Sequence, residues 1–122
     1  LGAVYDAATD TFQTIGKIGS GLSEANWKKL KQLLDTVRSN EQPARVTARL
    51  QPDVWLEPHY VVTVLADEIT RSPIHTAVQD AQGRGLALRF PRLVGFVRTD
   101  KAAEDATTTT EISEMFTQQR RS

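Results

Sequence analysis

The sequence contains no cysteine, one methionine and two histidines, and it has no long apolar run. Without cysteine there is no disulfide framework and no thiolate metal site, and such a composition suits a reducing interior. No apolar stretch approaches the roughly 20 residues that cross a bilayer, and no signal peptide opens the chain. These absences predict a cytoplasmic protein without a membrane partner.

The chain also lacks net charge, because 15 lysines and arginines balance 15 aspartates and glutamates. The net charge therefore does not point to a strongly charged partner, but a neutral protein can still carry a local basic patch. Such a patch runs from Arg84 to Lys101, where five cations accompany the single acid Asp100. An unpaired guanidinium is costly to bury, so we expect these cations to face an anion outside the fold.

The length of 122 residues fits one domain, residues 1–122, since two separate cores would be cramped. The chain begins without methionine, on LGAVYD, which is typical of the middle of a strand. We therefore expect a piece of a larger protein, with further chemistry encoded upstream.

The apolar pattern predicts a mainly β chain with two helices. Residues at spacings of three and four predict a helix over about residues 24–38, with Ser23 as its N-cap. Thr108 and Glu111 stand in capping-box spacing before a second helix at the end. Without regular crossover helices, the strands favour an OB-like small antiparallel barrel with one inserted helix and a C-terminal helix. The predicted strands cover residues 1–6, 11–19, 44–50, 59–70 and 85–90, the first two as a hairpin.

Familiar catalytic and metal-binding motifs are absent. The sequence has no G-x-S-x-G, no P-loop and no H-E-x-x-H. His59 and His75 have no carboxylate at helical ligand spacing, so we predict no metal site. Asp67 and Glu68 are adjacent on a predicted strand, which is expected to point them to opposite faces and to exclude a paired acid and base.

The segment RFPRLVGFVRTDK, residues 89–101, threads arginines through apolar strand residues. As an ordinary edge strand it would leave the arginines in solvent, and its alternation favours Phe90 as a core residue. Pro91 and Gly95 interrupt that alternation, because proline removes a ladder donor and glycine favours a bulge.

Two short segments are suited to binding phosphate. In RTDK, Asp100 is placed to orient Arg98 and Lys101 toward a triphosphate or a nucleic-acid backbone. Lys17 precedes IGSG, where a cation adjoins backbone amides as in a phosphate nest. On pattern alone, a simple turn leading into the helix is the favoured interpretation of the second segment.

Four motifs in order resemble the C-terminal OB-fold domain of ATP-dependent DNA ligases. They are YDAATDTFQTIGKIGSGLSEANW, QPDVWLEP, ADEITRSPIHTA, and GLALRFPRLVGFVRTDK followed by AAEDATTTTEISEMF. The R-x-D-K pattern at Arg98, Asp100 and Lys101 is similar to motif VI of the nucleotidyltransferase superfamily. The resemblance covers nearly the whole chain, and four ordered motifs are more specific than one.

The resemblance implies that motif VI acts when the enzyme is adenylated. Arg98, Asp100 and Lys101 would close over a nucleotidyltransferase domain, and Arg92, Arg98 and Lys101 would hold the β and γ phosphates of ATP. ATP and Mg²⁺ would belong to the full enzyme, not to this chain alone. Because the sequence lacks the K-x-D-G lysine motif, the chain by itself is expected to be inactive.

The resemblance also implies binding to nicked duplex DNA. Arg89 and Phe90 match the family's groove-contacting pair, in which the ring is an apolar wedge, so Phe90 would lie outside the core. Lys17, Ser20 and Gly21 match the glycine turn that approaches the DNA backbone.

One departure from the family concerns spacing. RFPR and R-x-D-K stand one residue farther apart than in the family pattern. This indicates an insertion or a bulge at Gly95 or a neighbour, and it affects the direction in which Arg92 points.

We therefore expect the OB domain of a monomeric, nucleoid-associated prokaryotic ligase that serves replication and repair. Its partners would be nicked DNA and the enzyme's own nucleotidyltransferase domain. One alternative is a stand-alone, non-catalytic oligonucleotide-binding OB module, which would use several stacking aromatics along a basic groove. Another is a protein-interaction module with an exposed apolar patch and no salt-dependent DNA binding.

Overall fold

The computed structural model describes residues 1–121, with side chains up to residue 119. Two α-helices and nine strands, several of them very short, occur in this part of the chain, which confirms the mainly β class with an internal and a terminal helix. In order they are β1 (Gly2–Asp6), β2 (Thr11–Gly16), α1 (Glu24–Asp35), β3 (Arg38–Ser39), β4 (Val46–Thr47), β5 (Trp55–Leu56), β6 (Val61–Leu65), β7 (Glu68–Ser72), β8 (Gly85–Arg89), β9 (Arg92–Arg98) and α2 (Thr109–Arg121).

The strands form four small sheets, with the orders β1-β2-β4, β3-β5, β6-β9 and β7-β8. Every pairing is antiparallel except β2 with β4, which is parallel. Within residues 1–121 the ladders do not close into a ring. The physical reason lies in residues 36–60, where β3, β4 and β5 are two residues each and three prolines remove ladder donors.

The core lies between the β1–β2 hairpin, the β7–β8 hairpin and α2. Its buried members include Val4, Ile15, Leu86 and Ile112, and Phe116 of α2 packs against them. This arrangement fixes β8, and therefore the segment that follows it, against the first hairpin.

The local signals at the helix starts are confirmed. Ser23 accepts a hydrogen bond from the backbone N–H of Asn26 at 3.2 Å, as an N-cap does. Thr108 and Glu111 bond reciprocally, with the Thr108 N–H to the carboxylate at 3.0 Å and the Glu111 N–H to the hydroxyl at 3.1 Å. The first helix ends at Asp35, three residues before the predicted end, because the chain enters β3 at Arg38.

The strand predictions differ from the structure mainly in the middle of the chain. The β1–β2 hairpin is confirmed, but the strand predicted over residues 59–70 is two strands, β6 and β7, in different sheets. The break falls at Ala66 and Asp67, where the Asp67 N–H donates to the carbonyl of Arg89 at 2.9 Å. Among the described residues, neither helix is long and apolar enough to span a membrane.

Candidate functional site

The turn at Ser20 and Gly21 lies directly against the start of β9. The N–H of Leu93 donates a hydrogen bond to the carbonyl of Ser20 at 2.9 Å. Gly21 has a φ of +110°, and a Cβ atom there would lie 2.5 Å from the backbone nitrogen of Leu93. Only glycine fits this close approach, which holds the turn beside the RFPR segment.

Lys17 lies at the end of β2, next to the same segment. The residue before it, Gly16, is buried, and a Cβ there would lie 3.8 Å from the ring of Pro91. Lys17 is exposed and has no ion pair within residues 1–119. The sequence-distant residues 17–21 and 89–93 are therefore neighbours in the fold.

Phe90 occupies the tip between β8 and β9. Its side chain is 64% exposed, and the guanidinium carbon of Arg89 lies 5.2 Å from the centre of its ring. Its φ of +53° is left-handed, a conformation that costs a non-glycine residue about 1 kcal/mol. The core position predicted from alternation is wrong, because Pro91 ends the ladder and the left-handed backbone turns the ring off the sheet.

Both arginines of RFPR are paired with carboxylates. Arg89 lies directly opposite Glu68 in the β7–β8 register, and its Nη1 donates to the Glu68 carboxylate. Arg92 donates from Nη1 to Asp67 at 3.0 Å and to the carbonyl of Phe90 at 3.0 Å. Asp67 lies in the turn before β7, not on a strand as predicted, and the two acids bind different arginines.

We call the exposed residues around the tip at Phe90 the groove surface. This surface contains every residue that is predicted to contact DNA. It contains a protruding aromatic ring, two cations and a glycine turn with accessible backbone. Its members are Lys17, Ser20, Gly21, Arg89 and Phe90.

A second cluster, which we call the phosphate hook, consists of Arg98, Asp100 and Lys101 just after β9. Arg98 donates to the Asp100 carboxylate from Nε at 2.9 Å and from Nη2 at 2.7 Å. These bonds hold the pKa of Asp100 below its ordinary value and raise that of Arg98. Lys101 is exposed and has no ion pair among the described side chains, so it adds a second cation to the hook.

A bulge separates the two ends of β9. Val62 pairs with Val97 but Thr63 pairs with Val94, so Gly95 and the residue after it have no partner on β6. Gly95 has a φ of +71°, as residues in bulges often do. The extra length predicted near Gly95 is accommodated in this bulge.

The bulge also determines where Arg92 lies relative to the hook. Arg92 and Arg98 pair with Leu65 and Val61, which are four residues apart on β6. The two arginines therefore lie on the same face of the sheet, with their backbones separated by roughly 13 Å. The structure therefore places Arg92 next to the groove surface, where it contacts the carbonyl of Phe90, and at the opposite end of β9 from Arg98.

Residues 1–101 match the family model described as the ATP dependent DNA ligase C terminal region. This chain belongs to that ligase family.

Relatives support the membership along nearly the whole chain. The chain is 52% identical over 121 residues to a "Probable DNA ligase" of Dictyoglomus thermophilum, covering 99% of the chain and 21% of the relative. It is 45% identical over 121 residues to a "DNA ligase" of Pyrobaculum calidifontis, with 98% and 21% coverage. A "DNA ligase" of Sulfurisphaera tokodaii is 45% identical over 118 residues, with 95% and 20% coverage. The chain thus spans about a fifth of these relatives.

The histidines of this ligase domain are not arranged around a metal. His75 is buried, its Nδ1 lies 3.2 Å from the hydroxyl of Thr14, and burial lowers its pKa. His59 is exposed and meets Tyr60 edge to face, with ring centres 4.7 Å apart. No group of three potential metal ligands occurs among the described residues.

Sequence reasoning missed the carboxylates that pair with the arginines of the ligase domain. The sequence predicts only that Asp67 and Glu68 do not form a paired acid and base, whereas in the structure each binds one arginine of RFPR. One signal is present in the sequence: two adjacent acids lie at the start of one strand, and two arginines lie at and just after the end of the strand that pairs with it. Using that signal requires knowing that β7 pairs with β8, which the sequence pattern does not specify.

Proposed function

We propose that this domain serves an ATP-dependent DNA ligase in two ways. Its groove surface binds duplex DNA at a nick, and its phosphate hook assists the adenylation of a lysine in the enzyme's nucleotidyltransferase domain. Together these contribute to phosphodiester bond formation in replication and repair. The observation that carries the proposal is the exposed Phe90, stacked by Arg89 at a tip that the glycine turn adjoins.

The groove surface has the composition that minor-groove contact requires. An apolar ring inserted between base steps unstacks them, and flanking cations bind the phosphates on either side. Phe90 protrudes on a left-handed backbone, so the ring is held outward by the main chain and not by a flexible side chain alone. Lys17 and the backbone of Ser20 and Gly21 supply further contacts to phosphate.

The hook has the chemistry that the departure of pyrophosphate requires. Arg98 and Lys101 bind the β and γ phosphates of ATP, and their charge stabilises the negative charge that develops on the leaving group. Asp100 holds the guanidinium of Arg98 in a fixed plane. The nucleophilic lysine and the residues that bind Mg²⁺ belong to the rest of the enzyme, so this domain does not seal nicks alone.

The separation along β9 explains how one domain takes part in two steps. The groove surface lies at one end of the strand and the hook follows the other, roughly 13 Å away by the β6 register. The domain therefore presents one end to the nucleotidyltransferase domain and the other to DNA, and it changes orientation between the steps.

We further propose that the full ligase acts as a monomer on nicks in the nucleoid, in the cytoplasm of a prokaryote. The alternative, a stand-alone oligonucleotide-binding module, would need several aromatics along one basic groove. In the basic segment the only aromatic residues that could stack on bases are Phe90 and Phe96. Phe90 lies in the turn before β9, whereas Phe96 lies within β9.

The test compares nicked and intact duplexes of the same sequence. Wild-type ligase and the Phe90→Ala variant are titrated with each duplex, and Phe96→Ala is the matched control because Phe96 is also exposed but lies in the bulge. We expect Phe90→Ala to weaken binding to the nicked duplex by between about fivefold and about 150-fold, which corresponds to one to three kcal/mol for a well-placed aromatic contact, with Phe96→Ala near wild type. Equal effects of the two substitutions would remove the wedge from the proposal.

A further inference from the structure

The acidic dipeptide Asp67–Glu68 is fixed against the groove surface by both main chain and side chains. The Asp67 N–H donates to the carbonyl of Arg89 at 2.9 Å. The Asp67 carboxylate accepts from Arg92 at 3.0 Å, and the Glu68 carboxylate accepts from Arg89. Because β7 and β8 are paired in this register, the carboxylates stay near the arginines when the side chains move.

The pairing cancels the charge that would otherwise attract DNA. In the free domain each arginine of RFPR has one carboxylate partner, whereas Lys17 has none among the described residues. The affinity of a protein for duplex DNA arises largely from counterion release by cations that neutralise phosphates. A surface built only for tight binding would leave its arginines unpaired.

The ion pairs are nevertheless easy to exchange. The side chains of Arg89 and Glu68 are 55% and 38% exposed, and those of Arg92 and Asp67 are 44% and 54% exposed. Exposed ion pairs contribute little to stability, so a DNA phosphate can replace the carboxylate at small cost. The same carboxylates remain close by and can rebind the arginines when the phosphate leaves.

We propose that Asp67 and Glu68 compete with DNA phosphate for Arg92 and Arg89, and that they set how fast the domain releases duplex. This inference rests on the proposed function of the groove surface. It concerns release in particular, because a ligase must leave the sealed product. In that product the nick is closed, but every backbone phosphate that attracts the domain is still present. Intramolecular anions that rebind the arginines shorten the time the domain spends on sealed DNA.

The test measures the dissociation rate and Kd of the intact ligase with labelled nicked and intact duplexes over a series of salt concentrations. The variants are Glu68→Gln and Asp67→Asn, which keep the shape of the side chain but remove its charge. Each is expected to tighten binding and to slow dissociation about fivefold, the effect of two unit charges about 4 Å apart in water. The dependence of log K on log salt should steepen by up to about one for each carboxylate removed.

The control is Asp35→Asn, which removes the charge of another exposed, ion-paired carboxylate, bound to Lys31 at 2.9 Å. It reports the general effect of adding one positive unit to the net charge, and we expect less than a twofold change. A double-mutant cycle then tests the mechanism: in an Arg89→Ala background, Glu68→Gln should change binding no more than Asp35→Asn does.

Two results would overturn the inference while leaving the proposed function standing. If Glu68→Gln binds no tighter than Asp35→Asn, the carboxylates do not compete with phosphate. If it binds more weakly, Glu68 orients Arg89 for DNA and does not compete for it. By contrast, unchanged DNA binding by both Arg89→Ala and Phe90→Ala would show that the groove surface itself is misassigned, and the inference would fail with it.

Discussion

The guanidinium of Arg98 donates two hydrogen bonds to the carboxylate of Asp100, at 2.9 and 2.7 Å. This bidentate geometry fixes the plane of the guanidinium even though both side chains are exposed. The hydrogen bond from Arg98 is the main cause of the lowered pKa of Asp100, so the carboxylate stays charged to a lower pH than an isolated aspartate does. A phosphate approaching the hook therefore meets an arginine whose orientation is already set.

Substitution in the hook should separate the steps of ligation. Arg98→Ala and Lys101→Ala are expected to slow self-adenylation of the intact enzyme about 100-fold, the usual effect of removing one group that stabilises a leaving oxyanion. Sealing of a nick that is already adenylated should change much less, because no pyrophosphate is present in that step. Single-turnover rates of the two reactions provide the measurement.

Arg38→Ala is the control for the hook, because Arg38 is an exposed arginine whose contact with Asp35 is long, at 3.9 Å. It should leave both rates near wild type. If Arg98→Ala slows adenylation and sealing by the same factor, the hook does not act on pyrophosphate.

The chain alone should not react with ATP. Incubation of residues 1–122 with labelled ATP and Mg²⁺ is expected to leave the protein unlabelled on a denaturing gel, because the sequence has no K-x-D-G lysine. The intact ligase under the same conditions is the positive control. A stable lysine adenylate on the chain would contradict the division of labour proposed for the two domains.

Features set by neighbouring residues could be predicted from the sequence. The N-cap at Ser23 and the capping box of Thr108 with Glu111 depend on contacts over three residues, and both are present. The bulge at Gly95 could likewise be expected, since glycine tolerates the positive φ found there. Resemblance to a family then indicated that Phe90 lies outside the core.

Features set by distant residues could not be predicted in the same way. The break between β6 and β7 depends on the bond from Asp67 to Arg89, which lies 22 residues farther along the chain. The same pairing brings the two carboxylates to the two arginines, and no local pattern reports it. Separation of Arg92 from the hook follows from the register of β9 on β6, which is also non-local.

Phe90→Ala should leave the stability of the chain nearly unchanged. The side chain is 64% exposed, and substitutions at exposed positions usually change the free energy of unfolding by less than about 0.5 kcal/mol. Loss of a core phenylalanine would instead cost about 3–5 kcal/mol. Thermal melting followed by circular dichroism distinguishes the two, with buried Phe12→Ala as the destabilised reference.

Arg89→Ala should reduce the salt dependence of DNA binding. If Arg89 neutralises one phosphate in the complex, the slope of log K against log salt falls by about one, and the loss of affinity is greatest at low salt. Arg84→Ala is the matched control, because Arg84 is also an exposed arginine paired with a carboxylate, that of Asp80. Arg84 lies just before the first residue of β8, whereas Arg89 is the last residue of that strand. An unchanged slope in Arg89→Ala would exclude a direct phosphate contact.

Gly21→Ala tests whether the glycine turn is held by its close approach to β9. The added Cβ would lie 2.5 Å from the nitrogen of Leu93, and the φ of +110° is unfavourable for alanine. Backbone atoms cannot move aside cheaply, so we expect a loss of about 2–4 kcal/mol in the free energy of unfolding, or a drop in Tm of roughly 10 °C. Gly19→Ala is the control, because its Cβ would meet nothing within 4 Å, and it should melt within about 2 °C of wild type. If Gly21→Ala melts like Gly19→Ala, the turn can move away from Leu93 and does not depend on that contact for its position beside Phe90.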